Sequence, residues 1–356
     1  MSGQKTRLTQ MVTSAGCAAK IFPHILAEAL KDINWKTNEN VLVGFDGKDD
    51  AGVYRINEKL ALIHTTDFFT PVVDDPYLFG QIAAANALSD VYAMGGTPLN
   101  GLNIVAFPQT ADLGILKEIL RGGSDKMNEA DAVIIGGHSI DIANIVYGLA
   151  VTGIIDPENI KGNNTARAGD KLILTKALGT GLLNNAVKFS NLEETEPDIY
   201  HKLISSMTRL NKNASECMLK AKANACTDIT GFGLAGHSMQ MAVASKAVLS
   251  FDVNSINILP GAVQAVDDNL MTRGDKSNRE YTKDNVTSSG RIDSVTEHIL
   301  YDPQTSGGLL ISVPEDHANF LLLELHRGGD IYANIVGEVL ESGDNYKEGS
   351  VIFDYK

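Results

Sequence analysis

The order of the apolar segments in the first half of the chain constrains its fold more than any other feature. Segments typical of strands lie at 41–44, 60–64, 101–107, 131–135 and 147–155, and segments typical of helices lie at 23–30, 77–94 and 112–129. From residue 41 onward the order is strand, strand, helix, strand, helix, strand, strand, whereas a purely parallel sheet would need strict alternation. The sequence therefore predicts an α+β arrangement built on a mixed sheet.

Length and a polar break divide the chain into two parts. A chain of 356 residues is long for one hydrophobic core, and the segment 158–169 has the Gly- and Asn-containing composition of a linker. We predict a flexible arm and first helix at 1–45, a first domain at 46–157 and a second, α/β domain at 165–356. In the second domain, strands are expected at 171–174, 309–313 and 333–339, helices over most of the stretch up to 225 and again after 233, and a polar loop at 272–292.

Charge and cysteine content limit the partners and the compartment. A net charge of −14 argues against nucleic-acid binding, which needs a surplus of lysine and arginine, but a carboxylate-rich site can bind a polyphosphate through a divalent metal. Cys17, Cys217 and Cys226 form neither a disulfide framework nor a zinc motif. The first residues do not have the pattern of a signal peptide, and no apolar run approaches about 18 residues. We therefore expect a cytoplasmic protein without membrane association.

Aspartates recur at the ends of the apolar segments and predict a metal-bound phosphate site. They are Asp49, Asp50, Asp67, Asp90 and Asp228. Carboxylate and phosphate oxygens are the ligands that Mg²⁺ prefers. Each aspartate has a structural alternative on its own, as a turn residue, a strand end, a solvated helix position or a helix N-cap. Asp67 and Asp90 have apolar or aromatic neighbours, among which an unpaired charge is costly, so the set as a whole favours a metal site.

Two glycine-rich stretches are candidates for phosphate binding. Residues 231–236 match the dinucleotide-binding spacing, but residues 224–230 before them are too short and too polar for the buried parallel strand that this fingerprint requires. Gly136, Gly137, His138 and Ser139 follow the predicted strand 131–135, and their backbone N–H groups could hold anionic oxygens. The alternative for this second stretch is an ordinary turn that ends a strand.

Taken together, these motifs resemble those of the selenophosphate synthetases, which belong to the aminoimidazole ribonucleotide synthetase-like ATP-binding superfamily. The matching segments run nearly end to end: LTQ…AGC-x-x-K at 8–20, DD at 49–50, TTDFF at 65–69, NA-x-SD-x-YAMGG-x-P at 86–98, GGHS at 136–139, TD-x-TGFGL-x-GH at 227–237 and DPQTSGGLL at 302–310. The resemblance implies the two-domain fold of that superfamily, with an N-terminal sheet domain that forms a homodimer and a C-terminal α/β domain packed beside it.

The resemblance also implies a substrate, a cofactor and the residues that bind them. ATP would bind with Mg²⁺ ions that bridge its phosphates to aspartates, and the implied metal ligands are Asp50, Asp90 and Asp228. The residues implied to contact the nucleotide are Lys20, Gly47, Lys48, Asp49, Asp67, Asp90, Gly137, His138 and Ser139.

Cys17 lies in the small-residue stretch 14–20, and the family often has cysteine or selenocysteine at this position. Many relatives carry a second cysteine two residues later, where this chain has Ala19, so a mechanism that needs a pair of thiols is disfavoured. The implied reaction converts ATP, selenide and water to selenophosphate, AMP and phosphate, with Cys17 and Lys20 as catalytic residues on a flap over the phosphates. Cys17 would either carry selenium or control access, and Lys20 would pair with phosphate or favour the thiolate.

Two other functions fit parts of the pattern. One is a different ATP-dependent reaction of the same superfamily, on a formyl amidine, thiamin phosphate or a carbamoyl group, although none of these explains the segment AGC-x-x-K. The other is a nucleotide-regulated selenium or thiol carrier without turnover, against which the complete set of aspartates argues.

Overall fold

The computed structural model describes residues 7–12, 23–31, 33–44, 49–290, 293–343 and 346–355. The first half of the chain forms a six-stranded sheet. Its strands are β1 (Val41–Val43), β2 (Gly52–Asn57), β3 (Leu60–Phe69), β4 (Thr97–Ala106), β5 (Val133–Ile140) and β6 (Val146–Ile155). They lie in the order β1-β2-β3-β6-β4-β5, with β4 and β5 parallel and the other neighbours antiparallel. The mixed sheet expected from the sequence is confirmed, and β2 is a strand that the sequence did not predict.

Two long helices cover one face of this sheet. They are α2 (Pro76–Ala93) and α3 (Leu113–Glu129), and the short helix α1 (Pro23–Leu30) precedes them in the chain. Ala61 and Ile63, alternate residues of β3, are fully buried in the core that this face shares with α2, as expected for a strand with one face in the core. A Cβ on Gly80 of α2 would lie 2.0 Å from the backbone oxygen of Ile119 in α3, so only glycine permits this close packing.

The second half of the chain forms a seven-stranded sheet surrounded by helices. Its strands are β7 (Asp170–Leu174), β8 (Ala225–Asp228), β9 (Val248–Asp252), β10 (Val286–Ser289), β11 (Leu309–Pro314), β12 (Asn334–Leu340) and β13 (Val351–Asp354). The helices are α4 (Thr180–Ser190), α5 (Leu192–Thr195), α6 (Pro197–Thr208), α7 (Lys212–Lys220), α8 (Gly233–Ser245), α9 (Ala262–Asp267), α10 (Arg273–Thr282), α11 (Ser294–Tyr301) and α12 (Glu315–Arg327). The strand order is β10-β13-β9-β12-β7-β11-β8, and only the pairs that include β13 are parallel. Among the described helices, none has the length and apolar character needed to cross a bilayer.

Residues 7–12 lie between the two halves and contact both, while the flexible arm expected at 1–45 stays a prediction. Most of it is a 3-10 turn. Asp74, which precedes α2, accepts hydrogen bonds from Arg7 Nε at 2.7 Å and from the hydroxyl of the fully buried Thr9 at 2.7 Å. Lys188 of α4 donates to a backbone oxygen of the same segment at 2.6 Å. The segment 7–12 is therefore attached to both halves of the molecule.

The polar stretch 272–292 is not a loop, because it contains α10 and β10. Contacts between polar groups hold α10 in place. Asp275 binds Arg279 at 3.0 Å and His298 at 2.9 Å, and the buried Asn278 donates to the backbone oxygens of two neighbouring segments. A helix stabilised in this way has no apolar periodicity by which the sequence could reveal it.

The segment before residue 231 is a strand despite its polarity. All four residues of β8 are buried. Among the strands that the structure describes, it pairs only with β11, in antiparallel orientation, at the edge of its sheet. Since a dinucleotide-binding unit needs parallel strands joined by a helix, the topology excludes that interpretation of residues 231–236.

Candidate active site

Four of the predicted aspartates come together where the first sheet meets the edge of the second. Asp49 and Asp50 precede β2, Asp90 lies on α2 and Asp228 ends β8. Thr227 Oγ1 donates a hydrogen bond to Asp50 Oδ1 at 2.9 Å. Burial, and then repulsion by the charges of Asp228, Asp49 and Asp90, raises the pKa of Asp50 well above its ordinary value. The fold thus concentrates negative charge from distant parts of the sequence.

Asp49 is held by the segment that joins the two halves. The backbone N–H of Asn163 donates to both carboxylate oxygens of Asp49 at 3.3 Å. A Cβ on Gly162 would lie 2.8 Å from Asp49 Oδ2, so the joining segment packs directly against the carboxylate. Burial raises the pKa of Asp49 to about 6. The segment 158–169, expected to be a simple linker, therefore contributes a wall of the site.

Hydrogen bonds between β3 and α2 hold Asp67 and Asp90 in place. The hydroxyl of Thr65 on β3 donates to Asp90 Oδ2. Asp67 lies two residues further along β3, on the same face of the strand, and accepts a hydrogen bond of 2.6 Å from Asn86 Nδ2 of α2. Residues two apart on a strand are separated by about 7 Å. Asp67 is therefore held close to the group of four aspartates, and its carboxylate is mostly buried.

The donor set fits a divalent cation. The ligand atoms of Asp50, Asp228 and His237 all lie within 4.8 Å of one another. Oδ2 of Asp50 is buried and has no hydrogen-bond partner among the residues that the structure describes. A buried carboxylate oxygen without a partner is costly, and a bound cation would satisfy it. The carboxylate oxygens suit Mg²⁺, while an imidazole nitrogen suits a transition metal better.

His237 was not assigned a role from the sequence. It ends the motif at 227–237, is buried in α8 and lies beside two of the aspartates. Its Nε2 lies 3.2 Å from Thr230 Oγ1 and accepts a weak hydrogen bond from the backbone N–H of Phe232 at 3.3 Å. A single histidine has no ligand spacing to recognise; its position in the same motif as Asp228 was the only available signal.

Gly137, His138 and Ser139 do not join the aspartates within this chain. They belong to β5, which continues through the expected turn to Ile140 and forms an edge of the first sheet. The strand pairing places Gly137 and Asp67 on one line perpendicular to the strands, but β4 and β6 lie between β5 and β3. At the usual spacing between strands, the two positions are roughly 14 Å apart. The glycine has a structural reason, because a Cβ there would lie 2.4 Å from the backbone oxygen of Asn103.

Four predicted site residues lie outside the described part of the chain. They are Cys17, Lys20, Gly47 and Lys48. Cys17 and Lys20 fall between the described residues 12 and 23, and Gly47 and Lys48 fall between the described residues 44 and 49. Their roles remain predictions.

Comparison with known proteins places both halves of the chain in one family. The family model described as AIR synthase related protein, N-terminal domain, matches residues 48–155, and the corresponding C-terminal domain model matches residues 167–348. Solved structures agree in fold. Thiamine monophosphate kinase from Aquifex aeolicus has a TM-score of 0.61 at 18% identity, over 93% of this chain and 94% of that one. Hydrogenase maturation protein HypE in complex with ATP has a TM-score of 0.63 at 18% identity, over 98% and 95% of the two chains. The fold is thus that of the AIR synthase related class.

Closer relatives define the family within this class. Selenide, water dikinase from Clostridioides difficile is 47% identical over 347 residues, which are 97% of this chain and 99% of the relative. The protein of the same name from Caldanaerobacter subterraneus is 51% identical over 338 residues, 95% of this chain and 97% of the relative. The chain belongs to the selenide, water dikinase family, and the resemblance to the selenophosphate synthetases is confirmed.

Proposed function

We propose that the protein synthesises selenophosphate from selenide, ATP and water, with release of AMP and phosphate. The observation that carries this proposal is the convergence of Asp49, Asp50, Asp90 and Asp228 in a chain with near full-length relatives named selenide, water dikinase. A dense group of carboxylates cannot bind a polyphosphate directly, because like charges repel. It can do so when divalent cations neutralise the charge between them.

The described aspartates have two roles in this proposal. Asp50, Asp90 and Asp228 hold Mg²⁺, and the orphaned Oδ2 of Asp50 supports that assignment. The metal neutralises charge on the phosphates of ATP. Asp49 and Asp67 orient the nucleotide beside these ligands, since both carboxylates are fixed by hydrogen bonds from the surrounding structure.

The nucleotide contacts also include residues outside the described part. Lys20, Gly47 and Lys48 precede or flank Asp49 in the family motifs, and their cations and backbone N–H groups would complement phosphate charge. Cys17 acts on selenide, either by bonding selenium or by controlling access to the phosphates. Hydrogen selenide is already ionised near neutral pH, so it requires protection from water and oxidant more than a general base.

A second copy of the chain is part of this proposal. The face of the first sheet opposite α2 exposes Tyr54, Phe68 and Leu102, which the strand register places on one side, at 38–49% exposure. Apolar side chains gathered on one exposed sheet face are typical of an interface. A homodimer would cover this face. Within one chain, Gly137, His138 and Ser139 are too far from Asp67 to contact the same nucleotide. In a homodimer, these residues of one copy could contact the nucleotide at the acidic site of the other copy.

We expect the protein to work in the cytoplasm. Cys217 and Cys226 are buried free thiols, the form that a reducing compartment maintains.

The activity is tested by AMP release from Mg-ATP with selenide, compared with thiamin phosphate as the alternative acceptor. We expect AMP only with selenide, and loss of this activity in Asp67→Asn with the fold retained. This substitution keeps the volume but removes the charge. AMP or ADP formation that depends on thiamin phosphate instead would contradict the proposal, as would full activity of Asp67→Asn.

A further inference from the structure

A buried polar loop of the second half of the chain contacts the segments that carry the aspartates. This loop, the QTSGG loop, comprises residues 304–308 between α11 and β11. Gln304, Thr305 and Ser306 are at most 2% exposed. Ser306 has a left-handed backbone conformation with φ of 49°, and its carbonyl oxygen accepts a hydrogen bond of 2.9 Å from Lys176 Nζ. A non-glycine residue in this conformation is held there by its surroundings.

The amide of Asn86 joins this loop to Asp67. Its Nδ2 donates to Asp67 Oδ2 at 2.6 Å, and its Oδ1 accepts from the backbone N–H of Ser306 at 2.9 Å. Asn86 is fully buried. The two bonds need a donor atom and a separate acceptor atom on one short side chain. An amide provides both, whereas a carboxylate only accepts and a hydroxyl has a single oxygen for both roles.

The same loop contacts the segments that carry two further aspartates. Asn211 Nδ2 donates to the carbonyl oxygen of Gly307 and to Oγ of Ser89, each at 2.9 Å, and Ser89 precedes Asp90. On the other side, the backbone N–H of Ile229, the residue after Asp228, donates to Gly308 at 2.8 Å. A Cβ on Gly307 would lie 1.9 Å from the backbone oxygen of Ile229, so the loop and the end of β8 are in direct contact.

We propose that Asn86 is a positioning residue that fixes the carboxylate of Asp67 relative to Asp90 and Asp228 through the QTSGG loop. The aspartates come from separate elements and repel one another, so their geometry must be imposed by uncharged neighbours. The loop contacts the supports of all three, and Asn86 is its hydrogen-bonded link to Asp67. The inference rests on the proposed function, because it assumes that Asp67 helps to bind Mg-ATP.

Asn184 provides a matched control for the experiment. It is a buried asparagine on α4, and its Nδ2 donates to Thr305 Oγ1 of the same loop at 3.1 Å. Asn184→Ala therefore removes a buried amide and a contact with the loop, but no contact with an aspartate. Asn86→Ala removes a contact with the same loop and also the hydrogen bond to Asp67.

The test is the Mg²⁺-dependent affinity for a non-hydrolysable ATP analogue, measured by calorimetry together with kcat, KM and thermal stability. We expect Asn86→Ala to weaken this affinity about tenfold or more, the usual scale for a lost hydrogen bond to a charged group, and to lower kcat. Asn184→Ala should keep affinity and kcat near wild type, whatever its effect on thermal stability. In an Asp67→Asn background, Asn86→Ala should cause little further loss of affinity, because the two residues act as a unit.

Equal affinities of Asn86→Ala and Asn184→Ala would overturn the inference, and so would full additivity with Asp67→Asn. If Asn86→Ala does not fold, Asn86→Ser leaves a smaller cavity and is compared with Asn184→Ser under the same criteria. Failure of the proposed function looks different: Asp67→Asn alone would then bind the Mg²⁺ nucleotide with wild-type affinity.

Discussion

Replacing Asp228 by asparagine should stabilise the metal-free protein while removing its stabilisation by Mg-ATP. The ligand atoms of Asp228 and Asp50 lie within 4.8 Å of each other, and the charge of Asp228 helps to raise the pKa of Asp50. The substitution removes a source of repulsion from the metal-free site and at the same time a proposed metal ligand. Opposite effects on stability and binding are what a functional site with like charges produces.

The magnitude follows from the geometry. Two unit charges 4.8 Å apart, the upper limit of this separation, repel by about 3.5 kcal/mol at an effective dielectric constant of about 20. The raised pKa of Asp50 means that protonation already relieves part of this repulsion, so we expect a net gain of about 1–2 kcal/mol in the free energy of unfolding. With nucleotide at a hundredfold its Kd, the wild-type protein should gain ~2.7 kcal/mol from Mg-ATP and the variant much less.

Asp170→Asn is the matched control. Asp170 begins β7 in the same sheet and is also buried, but donors surround it: Asn224 Nδ2 at 2.9 Å, Ser312 Oγ at 2.6 Å and the backbone N–H of Arg167 at 3.1 Å. An amide in its place would turn an N–H group towards these donors, at a cost of about 1–3 kcal/mol. This variant should lose stability and keep the Mg-ATP shift.

The assay is thermal unfolding of the wild type and both variants, each alone, with ATP and EDTA, and with Mg-ATP. A metal-free Asp228→Asn protein that is clearly less stable than wild type would refute the electrostatic reasoning. An undiminished Mg-ATP shift in this variant would show that Asp228 does not hold the metal.

Three further predictions concern the undescribed arm, the exposed sheet face and a buried lysine. Cys17→Ser should abolish selenide-dependent AMP release with ATP binding largely kept, while Lys20→Ala should weaken both; normal turnover in Cys17→Ser would make the thiol a bystander. The wild type should be a dimer by light scattering at micromolar concentration and the double variant Phe68→Lys, Leu102→Lys a monomer; a monomeric wild type contradicts this claim. Burial lowers the pKa of Lys176 to about 7, so its ammonium group loses a proton at a lower pH in the folded protein than in the unfolded chain. Its contribution to stability should therefore rise by about 2 kcal/mol between pH 7 and 9, and denaturant titrations should show this slope in the wild type but not in Lys176→Met.

The sequence predicted the elements whose pattern is apolar and local. The long α2 and the strands β3, β4 and β6 follow from regular burial, and the motifs pointed to Asp50, Asp90 and Asp228 before their proximity was known. Elements held by polar tertiary contacts escaped prediction. α10 depends on Asp275 and its partners, and β8 is a four-residue buried strand whose polar side chains are used by the site.

Contacts between distant segments explain the remaining differences. The 3-10 turn near the N-terminus is too short to show a pattern, and it is held by the burial of Leu8 in the core and by contacts with Asp74 and Lys188, which lie far along the chain. His237 and Asn86 lie within two of the sequence motifs, but the motifs do not reveal their roles, which follow from the aspartates beside them in the folded structure. The wide separation of Gly137 from Asp67 follows from the strand order, which motif order does not specify.

The central claim is that this chain forms a bond between phosphorus and selenium at the expense of ATP. The most direct test is ³¹P NMR of the protein with ATP, Mg²⁺ and ⁷⁷Se-labelled selenide. We expect a new phosphorus resonance split by coupling to ⁷⁷Se, with AMP and phosphate appearing in equal amounts and no such resonance when Mg²⁺ is removed. Hydrolysis of ATP without any selenium-coupled resonance, or formation of ADP as the only nucleotide product, would contradict it.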